Sequence, residues 1–143
     1  MGFGLPAAIG AKLGAPEREV ICVVGDGGFQ MTIQELGTIF QSQIDVKILV
    51  LNNEFLGMVR QWQELFFDRR YSFTEMVNPD FQTIAKGYHI ETERVEKREY
   101  LEDALNRFLN HKGSYLLEVM VGKENNVFPM IPTGCCVSEV RLK

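Results

Sequence analysis

Cysteine and histidine are scarce in this chain, three of the first and two of the second among 143 residues. Cys22 lies inside an apolar run, and Cys135 and Cys136 are adjacent with no Cys or His partner at zinc spacing. That pattern argues against a disulfide framework and against metal binding through sulfur. His89 and His111 stand in segments without a partner acid or nucleophile and are assigned to the surface. No Ser/His/Asp or Cys/His set appears, so an enzyme built on this chain must take its hard chemistry from a cofactor. Positive charge is not in excess: the net charge is -4, with no basic tract and no basic–aromatic interleaving, which argues against a nucleic-acid partner. No apolar run approaches the roughly 20 residues of a membrane span. The opening MGFGLPAAIGAKLGA lacks the basic start and sustained apolar stretch of a signal peptide, and Pro6 stands where N-myristoylation requires Ser or Thr. A cytoplasmic protein is the expectation.

What is present is an ordinary globular composition, 45% hydrophobic and 24% charged, in a length that fits one domain over residues 1–143. Pro6 to Leu13 reads as a short Ala-rich helix with Pro in its first turn. Glu19 to Val24 and Val46 to Leu51 are continuous apolar runs rich in β-branched residues, the pattern of strands covered on both faces. Helical spacing marks Met31 to Phe40, Gly57 to Phe67 (with Val59, Trp62 and Phe66 on one side), Asp80 to Gly87 and Glu99 to Asn110. Further strands are expected at Thr92 to Val95 and Tyr115 to Val121, followed by an irregular apolar tail. Strands alternating with helices imply an α/β fold, a doubly wound parallel sheet with helices on both faces.

In such sheets ligands bind beyond the carboxyl ends of the strands. Gly25-Asp26-Gly27-Gly28 and Asn52-Asn53 fall at two such ends, one strand–helix–strand unit apart. A P-loop is excluded because Phe29, Gln30 and Met31 follow Gly28 where Lys and Ser/Thr are needed. GFGLPA at the start imitates a dinucleotide fingerprint, but no strand precedes it and no acid closes the unit. An Asp carboxylate, an Asn amide oxygen and a nearby backbone carbonyl are hard ligands for Mg²⁺ or Ca²⁺. Gly27 and Gly28 leave backbone N–H groups bare at a helix start, where a diphosphate binds. Asp-Gly or Asn-Asn alone would be turn residues. Together, each after a buried strand, they read as a magnesium and diphosphate site.

GDG followed by NN at this spacing resembles the thiamine diphosphate motif of thiamine-dependent enzymes. MGFGLPAAIGAK, GDGGFQMTIQELGTI and LNNEFLGMVRQWQELFF look like the large catalytic subunit of acetolactate synthase, and RYSFT, NPDF and PMIPTG extend the likeness almost to the end. The resemblance implies the thiamine diphosphate-binding fold, with Asp26, Asn53 and the carbonyl of Phe55 on Mg²⁺ and Gly27 and Gly28 at the diphosphate. Met1 matches the apolar residue that supports the bent cofactor, Met58 would line the cofactor and substrate pocket, and Gly25 and Gly57 complete the cofactor-binding set. Trp62 matches a tryptophan of the substrate channel; from periodicity alone, Met58 and Trp62 are ordinary helix packing at i and i+4. The implied reaction decarboxylates pyruvate and joins the remaining two-carbon unit to a second 2-oxo acid, pyruvate or 2-oxobutyrate, toward branched-chain amino acids. The glutamate that activates the cofactor belongs to a different domain in the family, and Glu35 does not substitute for it. No catalytic residue is therefore expected here, and the chain reads as a C-terminal fragment, inactive alone, of a homodimeric or higher oligomeric enzyme. The family also admits FAD, held largely elsewhere, and a regulatory small subunit. Alternatives are a sister enzyme of the pyruvate oxidase or glyoxylate carboligase type, or a binding module without catalysis.

Overall fold

The apolar runs form strands and the amphipathic segments pack on them, in a computed structural model that describes residues 1–142. Helix α1 (Gly4–Gly14) leads into β1 (Ile21–Gly25), α2 (Asp26–Gln30), a 3₁₀ turn at Ile33–Glu35 and α3 (Leu36–Ser42). Strand β2 (Lys47–Asn52) follows, then α4 (Gly57–Phe66), α5 (Phe81–Gly87), β3 (Glu91–Val95), α6 (Leu101–Asn110) and β4 (Tyr115–Met120). The four strands are parallel in the order β1-β2-β4-β3. Register sets Gly25 beside Leu51 and Asn52 beside Met120, so the polar residues that end β1 and β2 emerge at one edge of the sheet.

One face carries the larger core: Leu5 and Ile9 of α1, Phe29 of α2, Leu36 and Ile39 of α3 and Phe81 and Ala85 of α5, against Cys22, Ile48, Val50 and Leu116. Burial pushes the Cys22 thiol pKa up, as fits a core cysteine without reactive character. The other face carries Ala104 and Phe108 of α6 against Val95, Tyr115, Leu117 and Val119. Helices thus cover both faces, as the doubly wound reading requires.

Three local expectations change. The segment read as one helix over Met31 to Phe40 is a turn, the 3₁₀ turn at Ile33–Glu35 and the start of α3, and a separate short helix, α2, precedes it from Asp26. Strand β1 is covered on one face only, leaving Ile21 44% and Val23 60% exposed. It is an edge strand, and the helix of that face, α6, packs over β3 and β4 instead. On α4 the polar residues are the buried ones, as described below.

On the α6 face, the Tyr115 hydroxyl donates to Glu93 Oε2 at 3.1 Å, and Arg107 grips the same carboxylate with two N–H groups at 2.6 and 3.0 Å. Burial and then the neighbouring Glu93 carboxylate push the Tyr115 phenol up to about 12. The neutral phenol is favoured in the folded state, so this stability is fully present below the unfolded value of 10.0 and is lost as pH rises through about 12. At about 1.4 kcal/mol per pH unit the loss is on the order of 2–3 kcal/mol. Denaturant titrations at pH 8 and pH 11.5 should show that loss in the parent and a smaller one in Tyr115→Phe. Equal losses in both would refute the assignment.

Candidate active site

Asp26 opens α2, immediately after the last residue of β1, and is 2% exposed. Its Oδ2 accepts a hydrogen bond from Asn78 Nδ2 at 2.7 Å. The same Nδ2 donates to Asn52 Oδ1 at 3.0 Å. Asn52 Nδ2 in turn donates to Glu118 Oε1 of β4 at 2.7 Å. Asn53 Oδ1 accepts from Phe55 N at 3.1 Å, an Asx turn that folds the chain between β2 and α4 and leaves the amide oxygen a second lone pair.

These strand ends border a cavity of about 550 Å³. It gathers every residue the sequence marks for cofactor binding: Met1, Gly25, Asp26, Gly27, Gly28, Asn53, Phe55, Gly57 and Met58. Val23, Val24, Leu51, Leu56, Val59 and Val121 make the rest of its wall mostly apolar, with Gly122 and Asn125 at the end of β4. Trp62 is not among the lining residues. It borders an adjoining concavity with Gln63, Phe67 and Arg70, joined to the first through Val59. Glu35 lies away from the cavity and accepts from Thr38 Oγ1 at 2.7 Å. His89 is exposed, while His111 is half-buried with its ring 5.2 Å from that of Tyr115.

Helix α4 is oriented by its polar residues. Arg60 is 6% exposed, with Glu64 at 3.3 Å and Glu124 at 2.7 Å, and its guanidinium lies 4.7 Å from the Tyr71 ring centroid and 5.6 Å from that of Phe55. Gln61 exchanges two hydrogen bonds with the backbone of Val127. The tail is thereby fastened to the inner side of α4, and Met58 and Val59 remain 52% and 43% exposed beside the cavity.

The chemistry of the donor set suits a hard cation: one carboxylate, one amide oxygen and one backbone carbonyl border the same space. Among the described residues no group of three or more His, Cys, Asp or Glu side chains is placed to hold a metal ion. The glycines also fit. A Cβ on Gly27 would stand 2.8 Å from Leu56 Cδ2 and 3.1 Å from Met76 Sδ, so the backbone is enclosed as closely as a glycine permits. The atoms met are the ends of flexible side chains that can turn aside, so Gly27→Ala should cost less than about 1 kcal/mol in stability and act mainly by narrowing the diphosphate cradle. Calorimetric titration and denaturant unfolding of that variant check both effects, and an unchanged diphosphate affinity would show the cradle to be slack.

A family model for the thiamine pyrophosphate enzyme C-terminal TPP binding domain matches residues 1–119. The chain belongs to this family. Like the motif resemblance, its similar proteins include acetolactate synthases. The chain is 47% identical over 98% of its length to the Escherichia coli acetolactate synthase isozyme 2 large subunit, covering 26% of that protein. It is 52% identical over 94% of its length to the mitochondrial acetolactate synthase of Schizosaccharomyces pombe, covering 20% of it. A solved structure, the thiamine diphosphate-dependent 4-hydroxybenzoylformate decarboxylase of Rhodococcus jostii, superposes with a TM-score of 0.78 at 33% identity, over 85% of this chain and 23% of that one. The chain thus spans between a fifth and about a quarter of the length of these relatives. The cavity at the strand ends lies at the edge where the fold rule places ligands in such sheets.

The residues that the sequence reading did not weigh are Asn78, Asn52 as a structural partner, and Glu118. Asn78 stood in a visible Asn-Pro-Asp turn, but its contact with Asp26 joins residues 52 positions apart, which no local pattern displays.

Proposed function

We propose that this chain is the cofactor-binding domain of an acetolactate synthase, a thiamine diphosphate- and Mg²⁺-dependent enzyme that condenses pyruvate with pyruvate or 2-oxobutyrate. The observation that supports it most is the single cavity bordered by Asp26, Asn53, Phe55 and the glycines of both strand ends. In this reading the Asp26 carboxylate, the Asn53 amide oxygen and the Phe55 carbonyl hold Mg²⁺, and the backbone at Gly27 and Gly28 meets the diphosphate. Bound thiamine diphosphate supplies the electron sink for decarboxylation. The apolar wall from Met1, Leu51, Leu56, Met58 and Val121 excludes water from the reacting centre. Met58 and Trp62 lie toward the substrate, with Trp62 in the adjoining concavity rather than at the cofactor.

Among the described residues Asp26 is the one ionisable side chain bordering the cavity, and a metal ligand is unsuited to shuttling protons. As the family resemblance implies, the acid–base work is assigned to a glutamate on another domain, with FAD, where used, also held outside this chain. A homodimer or larger assembly, with a regulatory subunit, is the proposed setting. The cytoplasm is the proposed compartment, and a fluorescent fusion sorting to mitochondria would overturn that.

The deciding experiment is acetolactate formation from pyruvate by the full-length protein with thiamine diphosphate and Mg²⁺, beside the 143-residue chain alone. Product from the first and none from the second is expected. Decarboxylation without acetolactate would move the assignment to a sister enzyme, for which the 33% identical decarboxylase is the model. No turnover by the full-length protein would leave a binding module.

A further inference from the structure

The Asn78 side chain stands between the two halves of the site. Its Nδ2 donates to Asp26 Oδ2 at 2.7 Å and to Asn52 Oδ1 at 3.0 Å. Two acceptors flank this nitrogen, so the amide cannot be turned over without setting oxygen against oxygen. Its own Oδ1 is buried without a hydrogen-bond partner. Such a group is a cost that a packing residue would not carry, and the donor is what explains an asparagine here.

The segment bearing Asn78 is itself fastened on both sides. Leu56 N donates to Thr74 O and Met76 N to Glu54 O, both at 2.8 Å, around an antiparallel bridge between Phe55 and Glu75. Beyond it, Pro79 restrains Asn78 to extended backbone. Asp80 caps α5 by accepting from Gln82 N and Thr83 N, each at 3.0 Å. The strap at 74–80 therefore crosses the loop that carries Asn53 and Phe55 and is locked before and after Asn78. Asn52 completes the frame through Glu118, which is 3% exposed on the inner strand β4.

We propose that Asn78 is a positioning residue for the metal site: by holding Asp26 Oδ2 and Asn52 together, it sets the orientation of the Asp26 carboxylate and its spacing from the Asn53–Phe55 arm. The inference rests on the Mg²⁺ and diphosphate reading of the cavity. With Oδ2 engaged by Asn78, Oδ1 of Asp26 would be the freer oxygen for a cation. The geometry so imposed favours an ion with a strict octahedron over a larger, more tolerant one.

The test is calorimetric titration of the full-length protein with Mg²⁺, and separately with Ca²⁺, in the presence of thiamine diphosphate. In Asn78→Ala the Mg²⁺ Kd should rise roughly 10- to 100-fold, the range for groups that orient metal ligands. The Ca²⁺ Kd should rise less, so that the preference for Mg²⁺ over Ca²⁺ shrinks. Asn78→Leu, close to asparagine in shape, repeats the measurement with the loop packing kept and serves if the alanine variant does not fold. Asp80→Ala loosens the same strap by removing the α5 cap; it should lower the unfolding midpoint yet keep the cation preference. Wild-type affinity in Asn78→Ala, or the same loss of preference in Asp80→Ala, would overturn the inference and leave the site reading intact. Failure of the unsubstituted protein to bind Mg²⁺ with thiamine diphosphate would overturn both.

Discussion

Asp26→Ala in the full-length protein is expected to abolish Mg²⁺-dependent binding of thiamine diphosphate and, with it, turnover. Among the described residues Asp26 is the only carboxylate bordering the cavity, and it is almost wholly buried. Removing one partner from a buried pair of opposite charges costs roughly 3–5 kcal/mol. On the tenfold-per-1.4 kcal/mol scale that is roughly 10²- to 4 × 10³-fold in Mg²⁺ affinity. Stability should move the other way or hardly at all. In the metal-free protein the substitution removes a buried charge whose direct partner is the Asn78 amide, so the unfolding midpoint without Mg²⁺ should stay within a few degrees. Asp26→Asn, which keeps the shape and an oxygen for Asn78, should fall between the two. Calorimetric Mg²⁺ titration beside thermal unfolding separates these outcomes. Near-parental affinity in Asp26→Ala would mean that the cation binds elsewhere.

Phe29→Ala should give the largest loss of stability of any single change near the site. Its ring is fully buried and meets that of Phe81 edge-on, with centroids 5.2 Å apart. Truncation of such a side chain costs about 3–5 kcal/mol through lost burial and the cavity left behind. For a domain of this size the unfolding midpoint should drop by about 10–20 °C. The effect reaches the site because Phe29 lies on α2, which begins at Asp26, and Phe81 begins α5, one residue after the strap that carries Asn78. One core contact thus braces both sides of the Asp26–Asn78 hydrogen bond. Cofactor affinity should weaken with stability, and Phe29→Leu should recover most of both. Equilibrium denaturation checks the first quantity and titration the second. A loss under about 1 kcal/mol would show that α2 can settle into the space.

Much of this was legible along the chain. Short β-branched runs alternating with amphipathic segments lead to a parallel sheet, because a strand that must be followed by a crossover returns in the same direction. Once the sheet is granted, Asp26 and Asn53 fall at adjacent strand ends with no further information. The burial direction of α4 was not legible. Periodicity says that Val59, Trp62 and Phe66 share a side, but the inward side was chosen by Arg60 and Gln61, whose ionic and backbone partners in the tail lie more than 60 positions away. The exposure of Ile21 and Val23 escaped for a similar reason, since whether a strand has one covered face or two depends on its place in the sheet.

By itself the sequence determined the fold class, the strand ends that border the cavity, and the residues Asp26 and Asn53 that stand there with glycines beside them. Each of these follows from local chemistry, through side-chain periodicity, turn residues and the freedom of glycine. Only the tertiary structure decided that Asn78 joins Asp26 to Asn52, that Glu118 anchors Asn52 to the inner strand β4, and that α4 turns Arg60 and Gln61 inward and leaves Met58 and Val59 to the cavity. These depend on hydrogen bonds between segments far apart in the chain, whose partners are chosen by the packing of the whole sheet and leave no period in the sequence.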